Sequence, residues 1–121
     1  MTKQTITGIG GVLIRAKDPA ALAKWYDDNF GITAMSETSP EPWHQAAGPT
    51  VFQPFDAGSD YFPIRQQVMF NFRVADLDAM LEQLRAAGVK IDDDRQEADF
   101  GRFAWVYDPE GNKVELWQPL S

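Results

Sequence analysis

The chain of 121 residues has no cysteine and one histidine, His44. The first absence removes disulfides, thiolate metal sites and a cysteine nucleophile. Basic residues are the minority, 11 Lys and Arg against 18 Asp and Glu, and the net charge is −7. They form no stripe, so nucleic acid is not an expected partner. The opening "MTKQTITGIGG" lacks an apolar signal core, and no run is long enough to span a bilayer. The expectation is a cytoplasmic protein with no membrane partner. There is no low-complexity stretch and no nucleophile elbow, and "GIGG" (8–11) leads into a strand pattern without the helix a phosphate loop needs. With 44% hydrophobic residues, the chain reads as one globular domain around a single core.

The organisation is a duplication. "GVLIRAKDPAALAKWYDDNFGI" (11–32) and "MFNFRVADLDAMLEQLRAAGV" (69–89) both give an alternating strand, an Arg, an Asp, an amphipathic helix and a closing Gly. Arg15 and Asp18 align with Arg73 and Asp76, and Gly31 with Gly88 after a one-residue slip. Asp18 and Asp76 are natural N-caps, Pro19 suits the first helical position, and the two glycines are placed to end the helices. This predicts helices over 18–30 and 76–87. Their apolar stripes are Leu22, Trp25 and Tyr26 in one and Leu77, Met80, Leu81 and Leu84 in the other. Each half then continues into strands, the first reaching "PTVFQPF" (49–55). The segment 56–67 between them reads as a loop, and Asp92-Asp93-Asp94 as a solvated turn without the spacing or glycine of a calcium loop.

The second half ends in "RFAWVY" and "KVELW" around Asp108-Pro109-Glu110-Gly111-Asn112, which predicts a hairpin with its turn at 108–112. Pairing outward from the turn sets Trp105 opposite Glu115 and Phe103 near Trp117 on one face, with Val106, Val114 and Leu116 on the other. A carboxylate among aromatics must be paired, protonated, solvated in a cavity or metal-bound. Arg15 and Arg73 share parity with that face and are its candidate partners. Val12, Ile14, Phe70, Phe72, Val114 and Leu116 are expected to form the helix-facing core. The aromatics on the opposite face then need a ligand, a second subunit or one another.

The two strand-Asp-helix openings, their order and the terminal "DPEGNKVELW" together resemble the vicinal oxygen chelate superfamily, the glyoxalase, bleomycin-resistance and extradiol-dioxygenase group, over residues 6–119. The resemblance implies an α+β fold of two tandem βαβββ modules, about 6–55 and 67–119. These would form a curved eight-stranded, partly closed barrel-like sheet with helices outside, in a homodimer. Metal-dependent members take ligands from the first and last strand of each module. Here those positions carry Gly11, Met69, Glu115, and Thr50 or Phe52. Gln53 is a third choice for the last, but alternation turns it to the helix-covered face. One carboxylate of four ligands would hold a metal weakly.

The reading that follows is a small-molecule-binding protein without metal or other cofactor, acting by sequestration or by metal-free proton transfer. Glu115 is the candidate catalytic group or ligand anchor. Arg15, Trp43, Phe52, Met69, Asn71, Arg73, Phe103, Trp105 and Trp117 are the candidate binding residues, with His44 beside Trp43 in a lid or a solvated loop. The alternative is a metal-dependent lyase, isomerase or dioxygenase that recruits Gln53 or His44. A third reading is a collapsed cavity in a dimeric interaction module.

Overall fold

Two aspartates begin the two helices. The computed structural model describes residues 2–120. In it Asp18 accepts the Ala21 N–H at 3.1 Å and opens α1 (Pro19–Phe30), and Asp76 accepts the Ala79 N–H at 3.0 Å and opens α2 (Leu77–Ala86). Each side chain satisfies a backbone donor that the first helical turn leaves without a partner. Gly31 ends α1 in the left-handed region, at φ 71°, where its N–H reaches the Asp27 carbonyl.

The second half folds as β1 (Asn71–Arg73), α2, β2 (Lys90–Ala98), β3 (Gly101–Tyr107) and β4 (Lys113–Pro119). The strands form one open sheet in the order β1-β4-β3-β2, with β1 parallel to β4 and the other pairs antiparallel. The hairpin register is the expected one: Trp105 faces Glu115, Phe103 faces Trp117 and Val106 faces Val114. Alternation then divides the sheet. Ala104, Val106, Val114 and Leu116 are fully buried on one face under Leu77, Leu81 and Leu84 of α2. Each fully buried leucine or valine contributes about 1.5–3 kcal/mol relative to exposure, so this seam is the main source of stability.

The hairpin turn also ties the two halves together. Asp108 is buried and accepts four hydrogen bonds: the Glu110 N–H at 2.9 Å, the Asn112 N–H at 3.0 Å, Asn112 Nδ2 at 2.9 Å and the Tyr26 hydroxyl at 2.8 Å. Glu110 in turn accepts the Lys17 and Asp18 N–H groups at 2.8 and 3.0 Å. Beside these polar ties, Tyr26 and Phe30 meet the Phe72 ring at 6.3 and 5.6 Å between centroids. Helix α1 therefore packs on the sheet of the second half.

Three expectations change. Among the described residues, the first half contributes its helix but no strand, so the α+β fold shown within one chain has four strands, in a sheet that does not close. Val12 and Ile14 are exposed rather than core, because no sheet of this chain receives them. Asp92-Asp93-Asp94 lies inside β2, not in a turn. The ladder tolerates it through an irregularity between Ile91 and Arg95, and Asp92 accepts the Tyr107 hydroxyl at 2.6 Å.

Candidate functional site

The face of the sheet opposite α2 carries Glu115, 8% exposed, and its carboxylate is held entirely by neutral donors. Asn71 Nδ2 donates to Oε1 at 2.6 Å, while Trp105 Nε1 donates to Oε2 at 3.0 Å and the Tyr61 hydroxyl donates to the same oxygen. Asn71 is brought there by the parallel β1–β4 register, which sets it directly opposite Glu115, and Trp105 by the β3–β4 register. Neutral donors suffice because each bond to an ionised acceptor is stronger than one between neutral groups.

Tyr61 comes from the loop expected at 56–67, and that loop is stitched down. Gln66 uses both ends of its amide on one backbone residue, donating to the Lys113 carbonyl at 2.7 Å and accepting the Lys113 N–H at 2.9 Å. Arg65 Nη2 donates to the Gly111 carbonyl at 2.8 Å, and Lys113 Nζ to the Tyr61 carbonyl at 3.2 Å. The Lys113 ammonium also lies over the Trp105 and Tyr61 rings, at 5.5 and 5.9 Å from their centroids. Burial, then the bond to Glu115, push the Tyr61 hydroxyl above the ordinary phenol range.

Beyond Trp105 the face is aromatic. Phe103 and Trp117 stack nearly parallel, 6.1 Å apart and 2° from coplanar, and Phe100 meets Phe103 edge-on. Trp117 Nε1 donates to the Phe100 carbonyl at 3.0 Å, so both indoles of the face are satisfied. Gly101 makes this possible. Its φ is 140°, and a Cβ there would overlap the Gln118 carbonyl and the Trp117 indole.

Of the residues named from sequence, Glu115, Asn71, Met69, Phe103, Trp105 and Trp117 come together on this face. The others do not. Arg15, Trp43 and Phe52 are exposed, as is His44. Arg73 spends its guanidinium on the carbonyls of Ala46 and Ala47, at 3.0 and 3.4 Å. Neither arginine is the partner of Glu115. Of the three donors to Glu115, Tyr61 is the one not named from sequence, and it sits in a loop without periodicity. The only signal for it is a pair of aromatics, Tyr61-Phe62, in a segment too short to bury them by itself.

The residues at the expected metal positions do not fit a metal. Gly11 has no donor, Met69 offers only a thioether and packs on the aromatic cluster, and both Glu115 oxygens already accept from neutral groups. No group of three or more His, Cys, Asp or Glu side chains gathers among the described residues. Of these three positions only Glu115 and Met69 carry a donor, where catalytic sites typically use three protein ligands. No helix among the described residues is long and apolar enough to cross a membrane.

Comparison with known proteins agrees with this architecture. The chain resembles the crystal structure of TnmS3, an antibiotic binding protein from Streptomyces sp. CB03234, with TM-score 0.65 and 20% identity, covering 98% of this chain and 100% of that one. It is also similar to a glyoxalase/bleomycin resistance protein/dioxygenase superfamily member from Sphaerobacter thermophilus DSM 20745, with TM-score 0.61, 15% identity and coverage of 93% and 98%. A third likeness is to TioX from Micromonospora sp. ML1, with TM-score 0.56, 17% identity and coverage of 87% and 93%. Comparison with curated proteins found none that matches. The sequence model of one family matches residues 8–116, nearly the whole chain, and on that match the chain belongs to the Glyoxalase/Bleomycin resistance protein/Dioxygenase superfamily.

Proposed function

We propose that this chain is a metal-independent binding protein that sequesters a small aromatic molecule on the Glu115 face. The observation that carries the reading is the set of contacts around Glu115. Its three hydrogen bonds come from neutral donors and engage both oxygens, so the carboxylate already works as an acceptor, and a ligand's donor can take the place of one of the three. That favours a ligand anchor over a general base, and sequestration over proton transfer. The walls are the indole of Trp105 and the stacked Phe103 and Trp117 rings, surfaces suited to a planar apolar guest.

Tyr61 indicates what such a guest looks like. Its ring meets Trp105 edge-on at 6.1 Å while its hydroxyl donates to Glu115. An aromatic ring bearing a hydroxyl or amine would replace Tyr61 contact for contact once the loop lifts. The similarity to TnmS3, an antibiotic binding protein, is in keeping with this class of ligand.

A thermal-shift screen of aromatic antibiotics, aromatic amines, small carboxylates and dicarbonyls, followed by tryptophan-fluorescence titration of each hit, tests the proposal. Hits should carry a ring and a donor. Glu115→Gln should weaken them about tenfold or more, the equivalent of roughly 1.4 kcal/mol. Tyr61→Ala, which removes the internal competitor, should bind them more tightly. Equal binding by Glu115→Gln would overturn the anchor role. A screen without hits would favour a filled face in a protein–protein interaction module, consistent with the burial of Glu115 and its aromatics. We further propose that the protein is a homodimer.

A further inference from the structure

The Glu115 face also carries a cation, Lys113. It stands two residues before Glu115 on β4, so alternation sends both side chains to one face, about 6.6 Å apart along the strand. Lys113 is half-buried, yet among the described residues it joins no ion pair of the kind that holds Lys24 and Arg102. Of its three N–H donors, one goes to the Tyr61 carbonyl at 3.2 Å. The Trp105 and Tyr61 rings beside it attract the charge without acting as ordinary hydrogen-bond acceptors. The ammonium therefore keeps donors for an acceptor on this face.

Tyr61 touches the face at three points, each with its own chemistry. Its hydroxyl donates to Glu115, its ring meets Trp105 edge-on at 6.1 Å, and its backbone carbonyl accepts from Lys113. Between the phenol and the carbonyl carbon lie only Cβ and Cα of the tyrosine. The face thus selects a phenol, a two-carbon link and an acceptor. The stitches that hold the loop are separate from these contacts. Arg65 and Gln66 fasten its far end to the backbone of Gly111 and Lys113, and nothing lies within 4 Å of a side-chain position built at Gly58. Tyr61 can therefore leave the face while the end of the loop stays in place.

We propose that Lys113 is a second ligand anchor, and that the ligand is a phenol joined by a short chain to a carboxylate. The acid para-hydroxyphenylpropionate reproduces the spacing of Tyr61. The proposal rests on the Glu115 reading above and adds the acid group to it. The phenol goes to Glu115, the ring to Trp105 and the carboxylate to Lys113, contact for contact where Tyr61 stands. Tethering favours Tyr61 through its local concentration, on the order of millimolar for a short linker. The free acid has charge in its favour: an ionised carboxylate attracts the ammonium as the neutral carbonyl does not. The ring holds that carboxylate away from Glu115, so the like charges lie at opposite ends of the guest. The chain's net charge of −7 acts from further off and is screened beyond about 8 Å at physiological ionic strength.

Calorimetric titration of the full chain tests this with three probes: para-hydroxyphenylpropionate, its uncharged amide and para-ethylphenol, which lacks the acid. Each is titrated into wild type and into Tyr61→Ala, Lys113→Met, Lys113→Arg and Glu115→Gln. The acid should bind about tenfold more tightly than the other two probes, and more tightly still to Tyr61→Ala. Lys113→Met should remove that preference and leave para-ethylphenol little changed, while Lys113→Arg keeps it. Lys113→Gln, which retains a polar stem, replaces Lys113→Met if the latter does not fold by far-ultraviolet dichroism. An acid that binds Lys113→Met as it binds wild type would overturn the second anchor. If Glu115→Gln still weakened all three probes, the Glu115 reading would stand without it. Failure of every probe to bind Tyr61→Ala would overturn the ligand class proposed here, and the wider aromatic screen would still decide the Glu115 reading.

Discussion

Tyr61 donates its hydroxyl to Oε2 of Glu115, joining a loop residue to a strand residue 54 positions further along the chain. Among the described residues, the bond is the one polar tie between that loop's tyrosine and the carboxylate on the sheet. The other stitches, from Arg65, Gln66 and Lys113, act on backbone atoms.

Tyr61→Phe keeps the ring contacts with Phe55 and Trp105 and removes only the donor. It leaves Oε2 with the Trp105 indole alone, and should cost about 1–2 kcal/mol. Urea unfolding should show a lower midpoint with an unchanged slope, because the surface exposed on unfolding is the same.

Glu115→Gln should destabilise more than Tyr61→Phe. An amide keeps one acceptor oxygen, so either Asn71 or the Tyr61–Trp105 pair is left facing an NH₂ group. The expected loss is about 1–3 kcal/mol with the fold retained, read as a lower thermal midpoint and an unchanged far-ultraviolet dichroism spectrum. A variant as stable as wild type would show that water reaches the carboxylate freely.

Asp108→Ala removes the acceptor of four hydrogen bonds at the hairpin turn and leaves the buried Tyr26 hydroxyl without a partner. The expected cost is about 2–4 kcal/mol, the largest of these three. Hydrogen exchange should show α1 losing protection before the β3–β4 ladder, since the lost contacts fasten the helix to the turn.

Every tyrosine of the chain donates to a carboxylate: Tyr26 to Asp108, Tyr61 to Glu115 and Tyr107 to Asp92. All three are raised above the ordinary phenol range. For Tyr26 and Tyr61 burial is the main cause. For Tyr107 it is the bond to Asp92, which pushes it up to about 12. A raised folded pKa means stability that is fully present below the unfolded value of about 10 and is lost as pH rises through the folded value. Absorbance at the tyrosinate band should therefore stay low through pH ~10, where free tyrosine is half ionised, and rise together with unfolding. A rise centred near pH ~10 in folded protein would contradict the three contacts. Asp92 has the opposite sign. The same bond holds it below the usual carboxylate range, so its contribution is present at neutral pH and lost on acidification.

Protein purified without added metal should carry far less than one equivalent of zinc, iron, manganese or nickel by elemental analysis. The motivation is the donor set at the expected ligand positions, where Gly11 and Met69 stand and Glu115 is already engaged.

Local interactions along the chain determined most of the second half. The Asp18 and Asp76 caps, the glycine stops, the apolar stripes and the proline-glycine turn act between residues a few positions apart, so their pattern is written in consecutive letters. The hairpin register follows from that turn, and with it the placement of Glu115 opposite Trp105. Tertiary structure decided what lies above that face. Tyr61 reaches Glu115 because Gln66 and Lys113 fasten a loop with no period of its own. Arg73 turns to the Ala46 and Ala47 carbonyls because the chain passes its end of the sheet. The same limit explains the first half. Alternation in "GVLIR" states that the segment suits a strand, but a strand is stable only beside another, and the identity of that neighbour is a long-range property of the assembled molecule.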